Sequence, residues 1–182
     1  NDPLDQMVCA GTSTSLVQFT GSGSAYTWTN DNTAVGLVGS GSGDIASFTA
    51  TGLGVATISV IPDLNGCLGT PQTFTITVNA LPVISVGTIP DVNMTSTSFS
   101  VPYTVTSGTP TSYSIVAITP TMPSFTTVPY TSITLSPISV SIPASAANTY
   151  SFNMLVKDGN SCENTHSFTL NVIDASKTRF ER

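Results

Sequence analysis

Apolar and polar residues alternate along most of this chain. Tyr26 and Trp28 share one face of a short segment. Ala56, Ile58 and Val60 share another, and Phe74, Ile76 and Val78 a third, with Thr73, Thr75 and Thr77 opposite. Further on, Phe99, Val101, Tyr103 and Val105 alternate with Ser, Pro and Thr. Ile138, Val140 and Ile142 do the same, as do Tyr150, Phe152, Met154 and Val156, then Phe168, Leu170 and Val172. A period of two is the period of a pleated strand, so each set predicts one buried face of a half-exposed strand. Phe19, Tyr26, Trp28, Ile58, Phe74, Ile76, Tyr103, Tyr113, Phe152 and Phe168 form the predicted core. No window carries apolar spacing of three and four behind a cap, so no helix is predicted. Turn signals such as Gly21-Ser-Gly23, Asn30-Asp-Asn32, Asp63-Leu-Asn-Gly66 and Asp158-Gly-Asn160 recur roughly every 8–12 residues, which argues for all-β sandwiches.

The pattern is written twice. Thr12-Ser-Thr-Ser-Leu-Val-Gln-Phe19, Ala25-Tyr-Thr-Trp28, Asn65-Gly-Cys67 and Thr73-Phe-Thr-Ile-Thr-Val78 return as Thr95-Ser-Thr-Ser-Phe-Ser-Val101, Ser112-Tyr-Ser-Ile115, Asn160-Ser-Cys162 and Ser167-Phe-Thr-Leu-Asn-Val172. The offset grows from 83 (Thr12 to Thr95) through 87 (Ala25 to Ser112) to 95 (Asn65 to Asn160), as longer loops in the second copy require. Tandem duplication points to an array rather than one catalytic centre. The expectation is two β-sandwich domains, residues 1–80 and 81–175, with 176–182 a basic tail or connector. Pro82 stops the strand that ends at Val78 from simply continuing. A junction this short and stiff would hold the domains end to end.

Composition narrows the function. Charged residues are 8% of the 182, against roughly 25% in an average soluble domain, and Ser and Thr supply about 30%. A hydroxyl surface suits strands, where Thr is favoured. Lys157 is the only basic residue before position 177, and Lys177, Arg179 and Arg182 follow in the last six. A nucleic-acid role is excluded, because phosphate neutralisation needs Lys and Arg. Anionic membrane surfaces are disfavoured for the same reason. No run of 18 apolar residues predicts a spanning helix. With Asn1 first and no visible leader, the chain reads as a fragment or processed product.

The chemistry-bearing residues are few. Cys9 follows Met7-Val8, and Cys67 falls in the hairpin between the last two strands of the same domain. In a sandwich both can lie at one end, so a Cys9–Cys67 disulfide is feasible, worth roughly 2–4 kcal/mol; two free thiols are the alternative. Cys162 is then left over, either a thiol whose partner was lost or an intermolecular bridge. Trp28 beside Tyr26 on an alternating strand reads as core rather than a sugar platform. Gly41-Ser-Gly43-Asp-Ile-Ala46 matches a dinucleotide pattern in letters only, because Ala46–Ala50 is expected to continue as strand where a helix is needed. Asp44, Asp63, Asn65, Asp158 and Asn160 read as turn formers before calcium ligands, being isolated where a hard cation wants clustered oxygens. No metal site and no cofactor are expected. His166 reads as a solvent-facing strand residue with no nucleophile pattern beside it. Lys157 reads as an exposed side chain rather than an isopeptide donor, and Asn93-Met-Thr95 is a formal glycosylation sequon.

Val8-Cys-Ala-Gly11, Tyr26-Thr-Trp-Thr-Asn30, Ser40-Gly-Ser-Gly-Asp-Ile45, Ala56-Thr-Ile-Ser-Val60, Asn65-Gly-Cys-Leu-Gly-Thr-Pro71 and Phe74-Thr-Ile-Thr-Val-Asn79 resemble the PKD-like repeat of very large surface and gliding-motility adhesins of Bacteroidetes. The resemblance covers residues 5–80. The family pattern includes both cysteines, so the resemblance supports the Cys9–Cys67 pairing. Residues 81–175 look like the accompanying Ig-like repeats, on Tyr113-Ser-Ile115, Ser141-Ile-Pro-Ala-Ser145 and the Cys162 hairpin. The resemblance implies an extracellular, cell-surface repeat protein exported by the type IX secretion route, with no active site. The basic tail departs from the pattern.

The expected function is therefore a non-catalytic structural and adhesive module of a bacterial surface stalk, whose partners are neighbouring repeats or copies of itself. The rival is a subunit of a self-assembling filament, in which Asn1–Val8 and Ser176–Arg182 pack on neighbours. A carbohydrate-binding accessory module of a secreted enzyme is the reading from another class. It would need exposed aromatics for surface glycans, and Phe125 and Tyr130, in the Pro-rich loop region, are the candidates.

Overall fold

In a computed structural model, which describes residues 3–176, the alternating segments are strands and the only helical piece is one short 3-10 turn. The chain divides into two compact units, Asn1–Ala80 and Leu81–Arg182. The tail beyond Ser176, with Lys177, Arg179 and Arg182, lies outside the described residues, as do the first two residues of the amino-terminal segment.

The first unit contains β1 (Gln6–Cys9), β2 (Ala25–Asn30), β3 (Ser40–Ser42), β4 (Gly54–Leu64), β5 (Cys67–Leu68) and β6 (Gln72–Asn79). They form one sheet in the order β1-β6-β4-β2-β3, with β5 folded back on β4. β1 runs parallel to β6, while β4 is antiparallel to both β6 and β2. Facing the sheet is extended chain rather than a second ladder. Residues 12–19 and 45–50 are joined by two isolated bridges, Ser13 to Thr49 and Val17 to Ile45. The strand expected over Ala46–Ala50 is thus absent as a regular strand. Ser47 Oγ and Phe48 N–H bond to Thr14 instead, and Gly11 and Ala50 pair through backbone. Between the two layers lie Val17, Trp28, Ile45, Ile58, Val60, Phe74, Ile76 and Val78. The 3-10 turn Thr33–Val35 is capped by Asn32, which accepts from Ala34 N–H, and Gly36 ends it at φ 106°.

Trp28 explains the Ser-Gly-Ser-Gly run. It pairs with Gly41 across β2 and β3, and its ring lies flat over that glycine. A Cβ at Gly41 would come 2.3 Å from the ring. Its indole N–H donates to the Gly43 carbonyl at 3.2 Å, so this large residue is buried with its polar atom satisfied.

The second unit contains β7 (Val83–Val86), β8 (Val92–Asn93), β9 (Ser98–Val101), β10 (Tyr103–Ser107), β11 (Pro110–Ile118), β12 (Val128–Ser132), β13 (Ile138–Ser141), β14 (Asn148–Asp158) and β15 (Glu163–Ile173). The main sheet runs β12-β11-β14-β15-β8, and two short ribbons, β10-β7 and β13-β9, complete it. The alternation Phe99–Val105 reads in sequence as one strand, but Pro102 divides it. β9 pairs with β13, and β10 pairs with β7. Pro lacks the N–H a ladder requires, so the chain changes ribbon there. Phe99 and Val101 are buried, Tyr103 is half-buried, and Val105 is exposed. The core centres on Phe152, which stacks on Phe168 at 5.4 Å and meets Phe99 at 5.8 Å.

Candidate functional site

Most of the described acidic side chains are occupied by backbone. Asp5 Oδ1 accepts from Thr75 N–H (2.6 Å), Asp31 from Thr57 (2.7 Å), Asp44 from Phe19 (2.9 Å) and Asp63 from Gly66 (2.6 Å). Asp158 is buried and accepts from Asn160 (2.9 Å) and Cys162 (2.8 Å). Asn65 sits at φ 53° in its hairpin, as a tight turn requires. Charge-assisted bonds to N–H groups fix turns and strand ends. These carboxylates are spread over separate turns, and among the described residues no group of three or more His, Cys, Asp or Glu gathers around a point.

The cysteines correct the expected pairing. Cys67 is an exposed free thiol, so it is not the partner of Cys9. Cys9 and Cys162 are both disulfide-bonded, and Cys162 is fully buried. Position explains the difference. Cys67 lies on the two-residue β5, exposed throughout and paired with the end of β4. Cys162 is drawn inward by its N–H bond to Asp158. The expectation that Cys162 is a leftover thiol fails with the pairing.

Of the predicted core, Trp28, Ile58, Phe74, Ile76, Tyr113, Phe152 and Phe168 are buried. Phe19, Tyr26 and Tyr103 are only half-buried. Tyr103 follows the break at Pro102 and turns its hydroxyl to the Thr134 carbonyl. Burial raises the pKa of Tyr113, and Tyr103 adds to the shift.

Neither aromatic proposed for sugar stacking is available as a bare face. Phe125 packs edge-on against Phe152, with ring centroids 5.1 Å apart. Tyr130 is exposed, but its hydroxyl donates to Glu163, and the Lys157 ammonium lies over its ring at 4.3 Å. Lys157 also pairs with Glu163 at 3.4 Å. Partial burial, then the bond to Glu163 and its negative charge, push the Tyr130 hydroxyl up to about 12. The three side chains satisfy one another on the surface. His166 is half-buried rather than solvent-facing. Its Nε2 accepts from Ile84 N–H at 3.4 Å, and it bonds the Pro82 carbonyl. Desolvation lowers its pKa, against the Pro82 bond.

The residues that sequence reasoning missed are at one end of the first unit. Phe19 and Tyr26 meet with centroids 5.6 Å apart and form one wall of a cleft of about 350 Å³. Pro62, Gly69, Thr70 and Gln72, at the start of β6, also line it. The available signal was Gly21-Ser-Gly23 beside an aromatic pair, which the alternation assigned to the core instead.

No protein-family model matches the chain, and no curated protein does. Solved structures do. The chain is similar to fibronectin(III)-like modules of Clostridium thermocellum CbhA, at 11% identity over 98% of this chain and 93% of that one, with a TM-score of 0.47. It is similar to a titin I-band fragment at 12% identity over 94% of this chain, with a TM-score of 0.46, and spans 63% of that fragment's length. A two-domain fibronectin type-III segment of chicken tenascin is 19% identical over 94% of this chain and 99% of that one, with a TM-score of 0.38. These neighbours are Ig-like or fibronectin-III-like tandem domains. At such identities and TM-scores they carry no argument about function.

Proposed function

We propose that the chain is a non-catalytic structural and adhesive module of a bacterial cell-surface stalk, of the PKD-like and Ig-like repeat type, with neighbouring repeats as its partners. One observation carries the reading. Two all-β units each close a separate core, and most of their described carboxylates are engaged in turns and strand ends rather than converging. That is an arrangement for mechanical persistence. The sequence resemblance to Bacteroidetes surface adhesins supplies the extracellular location, and a disulfide is in keeping with an oxidising compartment.

Small-angle scattering of the two-unit protein tests the stalk directly. An elongated, rigid particle is expected. A compact globule, or a profile of two independently tumbling units, would overturn it. The filament rival loses its intermolecular bridge at Cys162, since that sulfur is already bonded.

A further inference from the structure

We propose that the cleft of the first unit binds a neutral saccharide unit of a glycan. This deepens the adhesive part of the proposed function, and its failure would leave the stalk, which scattering decides, untouched. The cleft's volume of about 350 Å³ falls within the usual range for small-ligand sites. Its aromatic wall, Phe19 and Tyr26, offers apolar surface to the C–H face of a pyranose. Ser22, Thr70 and Gln72 add hydroxyl and amide groups that suit sugar hydroxyls.

Two further observations point to a ligand. The Tyr26 hydroxyl is buried with no hydrogen-bond partner. Buried polar groups are nearly always bonded, so an orphan calls for an explanation. It lies against Gly21, where a side chain would meet it at 3.3 Å, so only backbone stands over it on that side. A sugar hydroxyl can reach it after a small shift of that loop. The other observation is the glycine frame. A Cβ at Gly23 would come 3.0 Å from Pro62 Cβ and 3.3 Å from the Tyr26 ring, and one at Gly69 would come 2.8 Å from Pro62 Cγ. The walls are also held in place. Phe19 N–H bonds Asp44, Ser24 N–H bonds the Asp63 carbonyl, and Gly69 N–H bonds the Pro62 carbonyl. Apart from the Gly21 loop the frame is preformed, which limits the entropy lost on binding.

Charge selects the class of sugar. The first unit has five aspartates and no Lys, Arg or His, and none of the residues lining the cleft is charged. An acidic sugar or a phosphate would meet a negative field with no cation to answer it. A neutral hexose meets no such penalty.

Amide NMR of the whole two-unit protein tests the proposal, with glucose, galactose, mannose, N-acetylglucosamine, maltose, cellobiose and lactose as probes and glucuronate as the charged comparison. At least one neutral sugar should shift the amides of Ser22, Gly23, Gly69 and Gln72 saturably, and glucuronate should not. Tyr26→Phe, which keeps the ring, should weaken binding about tenfold. Gly23→Val should abolish it, and Gln72→Ala gives a second reading if that variant does not fold. Tyr130→Ala should leave it unchanged. The proposal is overturned if no neutral sugar moves those amides, or if binding survives undiminished in Tyr26→Phe and Gln72→Ala.

Discussion

The two units put the same motif to different uses. Tyr26 and Tyr113 occupy matching positions on β2 and β11. Tyr26 is half-buried with an unpartnered hydroxyl beside a cleft, whereas Tyr113 is 7% exposed within the core. Two residues on, Trp28 lies over Gly41, and its counterpart Ile115 is fully buried. The hairpins diverge in the same way. Asp63 and Asp158 both tie down their turns, yet the cysteine that follows is an exposed thiol in one and a buried, bonded sulfur in the other. The second unit gathers Phe99, Phe125 and Phe168 around Phe152, and the first leaves Phe19 and Tyr26 half-buried beside the cleft. One scaffold thus yields a unit packed around Phe152 and a unit that keeps an open cleft.

The largest effect should come from the packed unit. Phe152→Ala removes the ring that touches Phe99, Phe125 and Phe168, at a cost of about 3–5 kcal/mol. Against a typical 5–15 kcal/mol for a whole domain, that should melt the second unit well below the first in calorimetry. A single shared transition shifted as a whole would show that the units do not fold separately.

The cysteine contrast comes next. Alkylation of the native protein should label Cys67 alone, and Cys9 and Cys162 should label only after reduction. Reduction should destabilise the chain by roughly 2–4 kcal/mol. Labelling of Cys162 without reductant would remove the contrast. A smaller loss, about 1–3 kcal/mol, is expected from Gly41→Val, since the new side chain must displace the Trp28 ring. Urea denaturation combined with Trp fluorescence reads both the stability and the ring's displacement.

The strands were legible because alternation is a local signal, and long pairs such as β14 and β15 leave little choice of register. Phe99–Val105 shows the limit. Alternation continues through Pro102, but the partner strand changes, and partner choice is not local. The disulfide failed for a related reason. Cys9 and Cys67 lie in one repeat, and family resemblance favoured pairing within it, whereas whether a cysteine is bonded depends on burial and approach in the folded chain. The cleft was hidden because Phe19 and Tyr26 carry the letters of a core. Only the glycines beside them leave one edge uncovered, and a period-two pattern does not register what is missing across a loop.

His166 gives the smallest effect and the finest distinction between the units, since the first has no histidine. Its Nε2 must be unprotonated to accept from Ile84 N–H while the ring bonds the Pro82 carbonyl. Desolvation lowers its folded pKa below the ordinary 6.5. A group protonated more readily unfolded than folded contributes full stability above the unfolded value. That contribution is lost as pH falls from 6.5 toward the lowered folded value. The second unit should therefore soften in this window, while the first stays level. His166→Gln should flatten the dependence. If both units soften equally in wild type, or the slope persists in the variant, His166 is not the group that holds the start of β7 against β15.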